Sequence, residues 1–285
     1  MLRIVDIHPH VVSTDTERYP ITPLKGKQSE WSKKRSVTFE EMIAAMDEAG
    51  VDRAALVHSS TTYGYDCSYL ADSVARQPER VTGVFSVDMM AADAPDRIRS
   101  WATERRLGGL RLYTSGGTHQ EQSTWMSDPK VFAGLECAHE LGLSVCVSLR
   151  PAGVPQLMVL VKQFPGLRFV IDHMMEPPIA EGPPYQGSQF LFDLAGCGNV
   201  YLKLTTLNVR ASRKEKGSPE TFFPLLVEKF GASRIAWGSN YPSAQGTLKE
   251  MVTEARSALE VLPEPDQEWI FARTAQSLYP ALATK

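Results

Sequence analysis

The amino-acid sequence predicts a (β/α)8 TIM barrel of the α/β class, with a single domain spanning residues 1–285. Eight short apolar segments alternate with eight amphipathic ones, and this alternation is typical of βαβ units that form a parallel sheet. The short segments are apolar throughout, as expected of parallel strands covered on both faces. An open doubly wound sheet is the alternative, and the count of eight units favours a closed barrel.

The predicted strands are, in order, Leu2–Ile7, Ala54–His58, Val81–Val87, Gly109–Leu112, Ser144–Leu149, Arg168–Asp172, Val200–Leu204 and Ile235–Gly238. Start and stop signals for helices lie between them. Thr38 and Glu41 have the spacing of a capping box, and Gly50 follows as a helix stop. Pro129 suits a first helical position, and Gly142 ends the helix that it begins.

The connections are asymmetric. Links from helix to strand are short, whereas links from strand to helix are long, at Val11–Val37, Ser59–Asp66, Tyr113–Ser127, Met174–Gly187 and Thr205–Gly217. Loops that follow the strands form the catalytic face of a barrel. The sequence therefore predicts an active site at the carboxyl ends of the strands.

Composition narrows the function classes. The net charge is −3, and the sequence contains neither a basic segment for nucleic acid nor an apolar run long enough to span a membrane. The four cysteines are scattered, so we expect free thiols and a cytoplasmic protein. No signal peptide is predicted, because a strand pattern begins within three residues. The expected partner is a small molecule, and a homo-oligomer is left open.

Three histidines and one asparagine stand where predicted strands end. His8 and His10 are two residues apart on the first strand and therefore face the same side. His173 follows the sixth strand and Asn240 follows the eighth. The alternative for each histidine is a structural, hydrogen-bonded role. Their common position at strand ends favours catalysis, and we take all four as catalytic candidates.

Three motifs together resemble the amidohydrolase superfamily: Asp6-Ile7-His8-Pro9-His10, Asp172-His173, and Trp237-Gly238-Ser239-Asn240-Tyr241-Pro242. More narrowly, they are similar to the branch that contains 2-pyrone-4,6-dicarboxylate lactonase and related lactonases. Segments on the fourth and seventh strands, Gly108–Leu112 and Tyr201–Leu204, resemble the same branch. The resemblance covers nearly the whole chain and implies a hydrolase.

In metal-using relatives, the resemblance implies ligands from the two first-strand histidines, a fifth-strand histidine and an eighth-strand aspartate. Here Ser148 and Asn240 occupy the last two places. A neutral amide is a poor zinc ligand, and catalytic zinc usually has three protein ligands. We therefore expect no metal and no cofactor. The alternative is zinc held by His8, His10 and His173, in a metal-dependent amidohydrolase or non-oxidative decarboxylase.

The lactonase branch implies metal-free attack of water on a ring carbonyl. His8 and His10 would polarise that carbonyl, with His173 beside them. Asn240 has no accessible pKa near neutrality and cannot be a general base. Three explanations stay open: His173 is the base, no base is needed at that position, or Asn240 replaces a working aspartate.

The predicted substrate pocket is cationic. Arg111, Arg150, Lys203 and Arg210 lie on or after strands, and arginine forks bind carboxylates well. Further candidate substrate contacts are Tyr113, Tyr241 and His58, although structural roles explain each of these residues equally well. We therefore predict a hydrolase that opens a small carboxylated lactone or a similar cyclic ester or amide. The alternative that is not an enzyme is a catalytically degenerate barrel that binds a ligand without converting it.

Overall fold

The computed structural model describes residues 2–114 and 124–283. Eight parallel strands pair in sequential order. They are β1 (Val5–Asp6), β2 (Arg53–Val57), β3 (Val81–Phe85), β4 (Gly109–Tyr113), β5 (Ser144–Ser148), β6 (Phe169–Ile171), β7 (Val200–Thr205) and β8 (Ile235–Gly238). The barrel prediction is confirmed, and the sequential order excludes the doubly wound alternative. The domain limits, residues 1–285, stay a prediction.

Thirteen α-helices surround the strands within the described residues: α1 (Glu30–Lys34), α2 (Phe39–Ala49), α3 (Ser60–Tyr63), α4 (Ser68–Arg76), α5 (Ala94–Arg99), α6 (Phe132–Glu140), α7 (Val154–Gln163), α8 (Gln189–Phe192), α9 (Thr206–Ala211), α10 (Pro219–Phe230), α11 (Leu248–Leu259), α12 (Glu264–Glu268) and α13 (Thr274–Leu278). The predicted capping box of Thr38 and Glu41 begins α2, and Gly50 ends it in the left-handed region. None of these helices is long and apolar enough to cross a membrane. Part of the predicted loop Tyr113–Ser127 lies outside the described residues.

Four strands, β1, β3, β5 and β6, are shorter than predicted. At the carboxyl ends of β1 and β6, a side-chain hydrogen bond and a helical turn respectively take the place of the strand. The amide of His8 donates to the Asp6 carboxylate at 2.9 Å, so β1 ends at Asp6. Beyond β6, Asp172 begins a short helical turn that extends to Met175. In both places the departure from strand geometry coincides with a catalytic candidate.

Backbone and side-chain hydrogen bonds join the first and last strands. The amide of Ile7 donates to the carbonyl of Trp237 at 3.3 Å. Asp6 Oδ1, which already accepts from His8, also accepts from the amide of Ser239 at 2.8 Å. The buried carboxylate of Asp6 therefore links β1 to the end of β8 and holds the two motifs together.

The amino end of the barrel is filled by the end of the described chain. Side chains of α13 and the residues after it, including Leu278, Tyr279 and Leu282, pack against the barrel interior. Ser144 Oγ donates to the carbonyl of Leu278 at 2.7 Å, and Cys146 Sγ contacts the Tyr279 hydroxyl at 3.1 Å. Since this end is closed, access is from the carboxyl ends of the strands.

Gly238 ends β8 directly against His8. A Cβ at position 238 would lie 2.7 Å from the Cβ of His8 and 3.1 Å from its backbone nitrogen. We predict that Gly238→Ala lowers the free energy of unfolding by about 1–3 kcal/mol, the usual cost of overpacking. Denaturant unfolding measures the change.

Gly196→Ala is the matched control, because a Cβ there meets no atom within 4 Å. Its stability should stay near that of the parent chain. Equal stability of the two variants would contradict close packing of β8 against His8.

Candidate active site

A cavity of about 490 Å³ opens at the carboxyl ends of the strands. Most of the predicted site residues line it: His8, His10, Arg111, Tyr113, Arg150, His173 and Asn240. The loop after β1 supplies further lining residues, among them Trp31 and Arg35, and the loop after β2 supplies Ser59–Thr61. The structure therefore brings the catalytic candidates from β1, β6 and β8 to one space.

A buried ion cluster lies beneath this cavity. Asp172 is completely buried and pairs with Lys203 Nζ at 3.0 Å and with Arg111 Nε at 2.8 Å. Burial alone would raise the pKa of Asp172, but the charges of Lys203 and Arg111 lower it overall. Two cations and one anion leave this cluster with one net positive charge.

Lys203 also determines the hydrogen position on His8. Its Nζ donates to Nδ1 of His8 at 3.1 Å. Burial, followed by the charge of Lys203, lowers the pKa of His8 well below its ordinary value, so the ring is neutral. A neutral ring has one N–H, which must therefore be on Nε2. Within the described residues that buried Nε2 has no hydrogen-bond partner.

His10 carries its ring hydrogen on the other nitrogen. Its Nδ1 lies 2.8 Å from the carbonyl oxygen of Val57, which can only accept. Nδ1 therefore donates, and Nε2 keeps its lone pair because burial lowers the pKa of His10 to about 3. The ring packs edge to face on His8, with centroids 5.0 Å apart, and lies 5.2 Å from Trp31. His8 and His10 thus offer different chemistry in spite of their shared motif.

His173 lies on a left-handed turn. His173, Met174, Met175 and Glu176 all have φ between 53° and 62°, a region that non-glycine residues rarely adopt consecutively. The turn brings the His173 ring within 4.7 Å of His8, measured between centroids. Its Nδ1 contacts Thr205 Oγ1 at 3.0 Å, and burial lowers its pKa to about 4. Its second nitrogen, Nε2, is the one left for a ligand.

Asn240 also has left-handed backbone, with φ 59°. Asparagine tolerates this region better than most residues do. The side chain lines the cavity and makes no hydrogen bond within the described parts of the chain. It is therefore an uncharged donor and acceptor that is free to contact a ligand.

Four predicted contacts lie outside the cavity lining: His58, Lys203, Arg210 and Tyr241. Lys203 acts from below through Asp172 and His8. Arg210 is turned to Glu254, to which it makes two bonds of 2.7 and 3.1 Å. His58 Nε2 bonds the carbonyl of Gly64 at 3.0 Å. The structure therefore does not bring these four side chains into the cavity with the catalytic candidates, and their contact with substrate stays a prediction.

Arg150 lines the rim but is paired. Its Nη1 lies 2.8 Å from Glu176 Oε2, with both side chains about half exposed (49% and 44%). Among the described residues, Arg111 uses only Nε in hydrogen bonds. Of the four predicted cations, Arg111 alone combines a place in the lining with two terminal nitrogens that make no hydrogen bond among the described residues.

Several site features were not predicted from the sequence. Thr205 and Asn208 were assigned only to the long loop Thr205–Gly217, and Trp31 only to the long loop Val11–Val37. The spacing of Thr205 and Asn208 at the start of α9 is a capping pattern, so a helix signal was present. Nothing in that signal pointed to His173, which lies 32 positions before Thr205.

The amidohydrolase family profile matches residues 5–281. The chain belongs to the amidohydrolase family. The resemblance inferred from the motifs is therefore confirmed. This amidohydrolase is 30% identical over 206 residues to the L-fucono-1,5-lactonase of Burkholderia ambifaria, covering 71% of the chain and 69% of that protein. It is 24% identical over 208 residues to the 4-sulfomuconolactone hydrolase of Rhizobium radiobacter, covering 71% and 65%. The amidohydrolase is a hydrolytic enzyme, as predicted.

Solved structures share the fold. A candidate 2-pyrone-4,6-dicarboxylic acid hydrolase from Pseudomonas putida superposes with a TM-score of 0.79 at 20% identity, covering 100% of both chains. An amidohydrolase from Burkholderia multivorans with bound zinc has a TM-score of 0.76 at 16% identity, covering 98% and 99%. A manganese-bound dihydroxybenzoic acid decarboxylase from Polaromonas has a TM-score of 0.68 at 15% identity, covering 100% and 98%. The same barrel therefore occurs with and without a stated metal.

The buried histidines predict how stability depends on pH. Burial lowers the pKa of His8, His10, His58 and His173 below the unfolded value of about 6.5. The unfolded chain therefore binds more protons below that pH, and stability falls with acidification. Asp6, whose pKa is raised by burial, acts oppositely but is one group against four. We expect the melting temperature to fall between pH 7 and pH 5.

His58→Gln isolates one contribution, since glutamine keeps an N–H donor for Gly64 but does not titrate. The melting temperature of the variant should fall less over the same pH interval. The difference should be about 2–4 °C for each kcal/mol of unfolding free energy that His58 loses on acidification. Identical slopes for variant and parent would contradict a neutral, buried His58.

Proposed function

We propose that this amidohydrolase opens a small lactone by metal-independent attack of water on the ring carbonyl. One observation supports this most directly: a buried His8 Nε2–H without a partner lies beside His173, whose ring is 4.7 Å away between centroids. The first is a donor suited to a carbonyl oxygen. The second has a nitrogen suited to accept a proton from water.

In the proposed reaction, His173 Nε2 takes a proton from water as the water oxygen bonds to the carbonyl carbon. The carbonyl oxygen gains the negative charge of the tetrahedral intermediate, and His8 Nε2–H donates to it. The intermediate collapses by breaking the bond from carbon to the ring oxygen. His173 returns its proton to that oxygen, so one water is consumed and a hydroxy acid is formed.

The ion cluster supports the charged intermediate. Its net positive charge lies beneath His8, and Lys203 Nζ is 3.1 Å from His8 Nδ1. A cation that donates to Nδ1 makes the Nε2–H a stronger donor. Such fixed dipoles in a buried site stabilise an oxyanion more than water does. Arg111 and Asn240 contribute further polar groups to the lining.

The names of the relatives support a lactone as substrate. The L-fucono-1,5-lactonase and the 4-sulfomuconolactone hydrolase are both lactone hydrolases by name. The charges at the rim favour a substrate with few carboxylates, because Glu176 pairs with Arg150, whereas both terminal nitrogens of Arg111 are left for a ligand. We propose a lactone with at most one carboxylate, which Arg111 would bind. Tyr113, whose ring lies 5.0 Å from the Arg111 guanidinium, would contact it too.

The histidines do not fit a metal. An imidazole nitrogen that binds a metal must have a free lone pair. Nε2 of His8 carries a hydrogen and therefore has none to offer. That leaves His10 and His173, fewer than the three ligands usual for catalytic zinc. Within residues 2–114 and 124–283, no group of three or more His, Cys, Asp or Glu side chains is arranged to hold a metal ion. The nearby Lys203 and Arg111 would also repel a cation.

A lactone panel tests the function. It comprises L-fucono-1,5-lactone, other sugar lactones, monocarboxylated lactones and 2-pyrone-4,6-dicarboxylate. We expect turnover of neutral or monocarboxylated lactones in preference to the dicarboxylate. His173→Ala should lower kcat by about 10²–10⁴, the range of a positioned general base. A folded parent chain that binds but never opens any lactone would support a degenerate binding barrel instead.

Asn240→Asp decides between the two possible bases. If His173 is the base, this variant changes the pH–rate profile without being needed for activity. The proposal would be contradicted if lactone turnover were high only in the Asn240→Asp variant, and if adding His173→Ala to that variant left the turnover high. Similar KM values would then locate the difference in chemistry rather than binding.

Removal of metal provides a separate test. Because His8 Nε2 carries a hydrogen, we expect full lactone hydrolysis after dialysis against a chelator and no gain from added zinc or manganese. Elemental analysis of protein produced without added metal measures occupancy. About one tightly bound metal per chain, with activity lost on its removal, would favour the metal-dependent hydrolase or decarboxylase.

A further inference from the structure

A hydrogen-bond chain behind His173 has its donors and acceptors determined at every step. Asn208, on α9, is the fixed point. Its Oδ1 accepts from the backbone amide of Thr205 at 2.9 Å, and its Nδ2 donates to the carbonyl of His173 at 2.9 Å. An amide N–H can only donate and a carbonyl can only accept. The orientation of the Asn208 amide follows from these two contacts.

The Thr205 hydroxyl is determined next. Its Oγ1 lies 3.1 Å from Asn208 Oδ1 and 3.0 Å from His173 Nδ1. Since Asn208 Oδ1 only accepts, the single hydroxyl hydrogen satisfies that contact when it points to Asn208. The opposite arrangement would leave two oxygen lone pairs facing each other in a buried site, which is costly. A Thr205 lone pair therefore faces His173.

We infer that Thr205 and Asn208 are positioning residues that fix His173 in the tautomer with hydrogen on Nδ1 and a bare Nε2. The functional role in this inference rests on the proposed function, because a general base at His173 requires an Nε2 without a hydrogen. The tautomer itself follows from the hydrogen bonds alone. Thr205 and Asn208 act through His173 and are absent from the cavity lining.

Asn208 has a second effect on the same residue. The carbonyl that it binds belongs to His173, the first residue of the left-handed turn, and the amide of Glu176 donates to that carbonyl as well, at 2.9 Å. Met174 and Met175 are buried within the turn. One side chain thus influences both the backbone that aims the His173 ring and the hydrogen that it carries.

The test compares Thr205→Val, which removes the hydroxyl at nearly constant shape, with Thr205→Ser, which keeps it. Nitrogen-15 NMR of histidine-labelled enzyme reports the tautomer, with His173 signals assigned by their loss in His173→Gln. The parent chain and Thr205→Ser should show hydrogen on Nδ1. Thr205→Val should shift His173 toward hydrogen on Nε2. It should also lower kcat about 10–100-fold, as loss of an outer hydrogen-bond partner does, with KM changed by less than about twofold.

Thr206→Val is the matched control. Thr206 is the next residue, is equally buried, and its Oγ1 has no hydrogen-bond partner among the described residues. The same substitution there should leave both the His173 spectrum and kcat unchanged. If Thr205→Val does not fold, Asn208→Leu serves instead, since it frees the Thr205 hydroxyl to donate to Nδ1 and should mix the tautomers.

An unchanged His173 spectrum in folded Thr205→Val would overturn the inference, as would equal losses of kcat in the two valine variants. Failure of the proposed function has a different signature. In that case His173→Ala keeps lactone turnover, while the spectra of Thr205→Val and Thr205→Ser still differ.

Discussion

The site depends on the burial of Asp172 between Lys203 and Arg111. A lysine with no exposed surface must be paired, because an isolated buried charge costs several kcal/mol. Asp172 supplies that pairing from the end of β6 to partners on β7 and β4. Since Lys203 also donates to His8, the same carboxylate indirectly sets the hydrogen position on a histidine of β1. Four strands, and the protonation states of Asp172 and His8, are therefore coupled through this cluster.

The barrel was predictable because its signal is repeated. Eight apolar segments gave eight strands, and the helix caps at Thr38 and Gly50 are local in sequence and were found where expected. The convergence of His8, His10, His173 and Asn240 followed from strand topology, since the carboxyl ends of barrel strands meet. The family motifs were confirmed by a match over residues 5–281.

Residue roles within the site were less predictable, because they depend on partners distant in sequence. Arg210 looked like a free cation after a strand, but Glu254 binds it from α11. Arg150 has the right position but is paired with Glu176. The left-handed turn at His173–Glu176 contains no glycine, the residue that would have indicated such a turn in the sequence. Buried methionines and Asn208 hold this conformation, and local preference alone would not select it.

The filled amino end of the barrel has a consequence for how the protein is made. Tyr279 and its neighbours occupy the space beneath the strands, and Leu278 accepts a hydrogen bond from Ser144 on β5. When all eight strands of a nascent chain have left the ribosome, these residues are still missing, so water can enter the barrel interior from its amino end. Completion of the fold must therefore wait until residues 274–282 have left the ribosome.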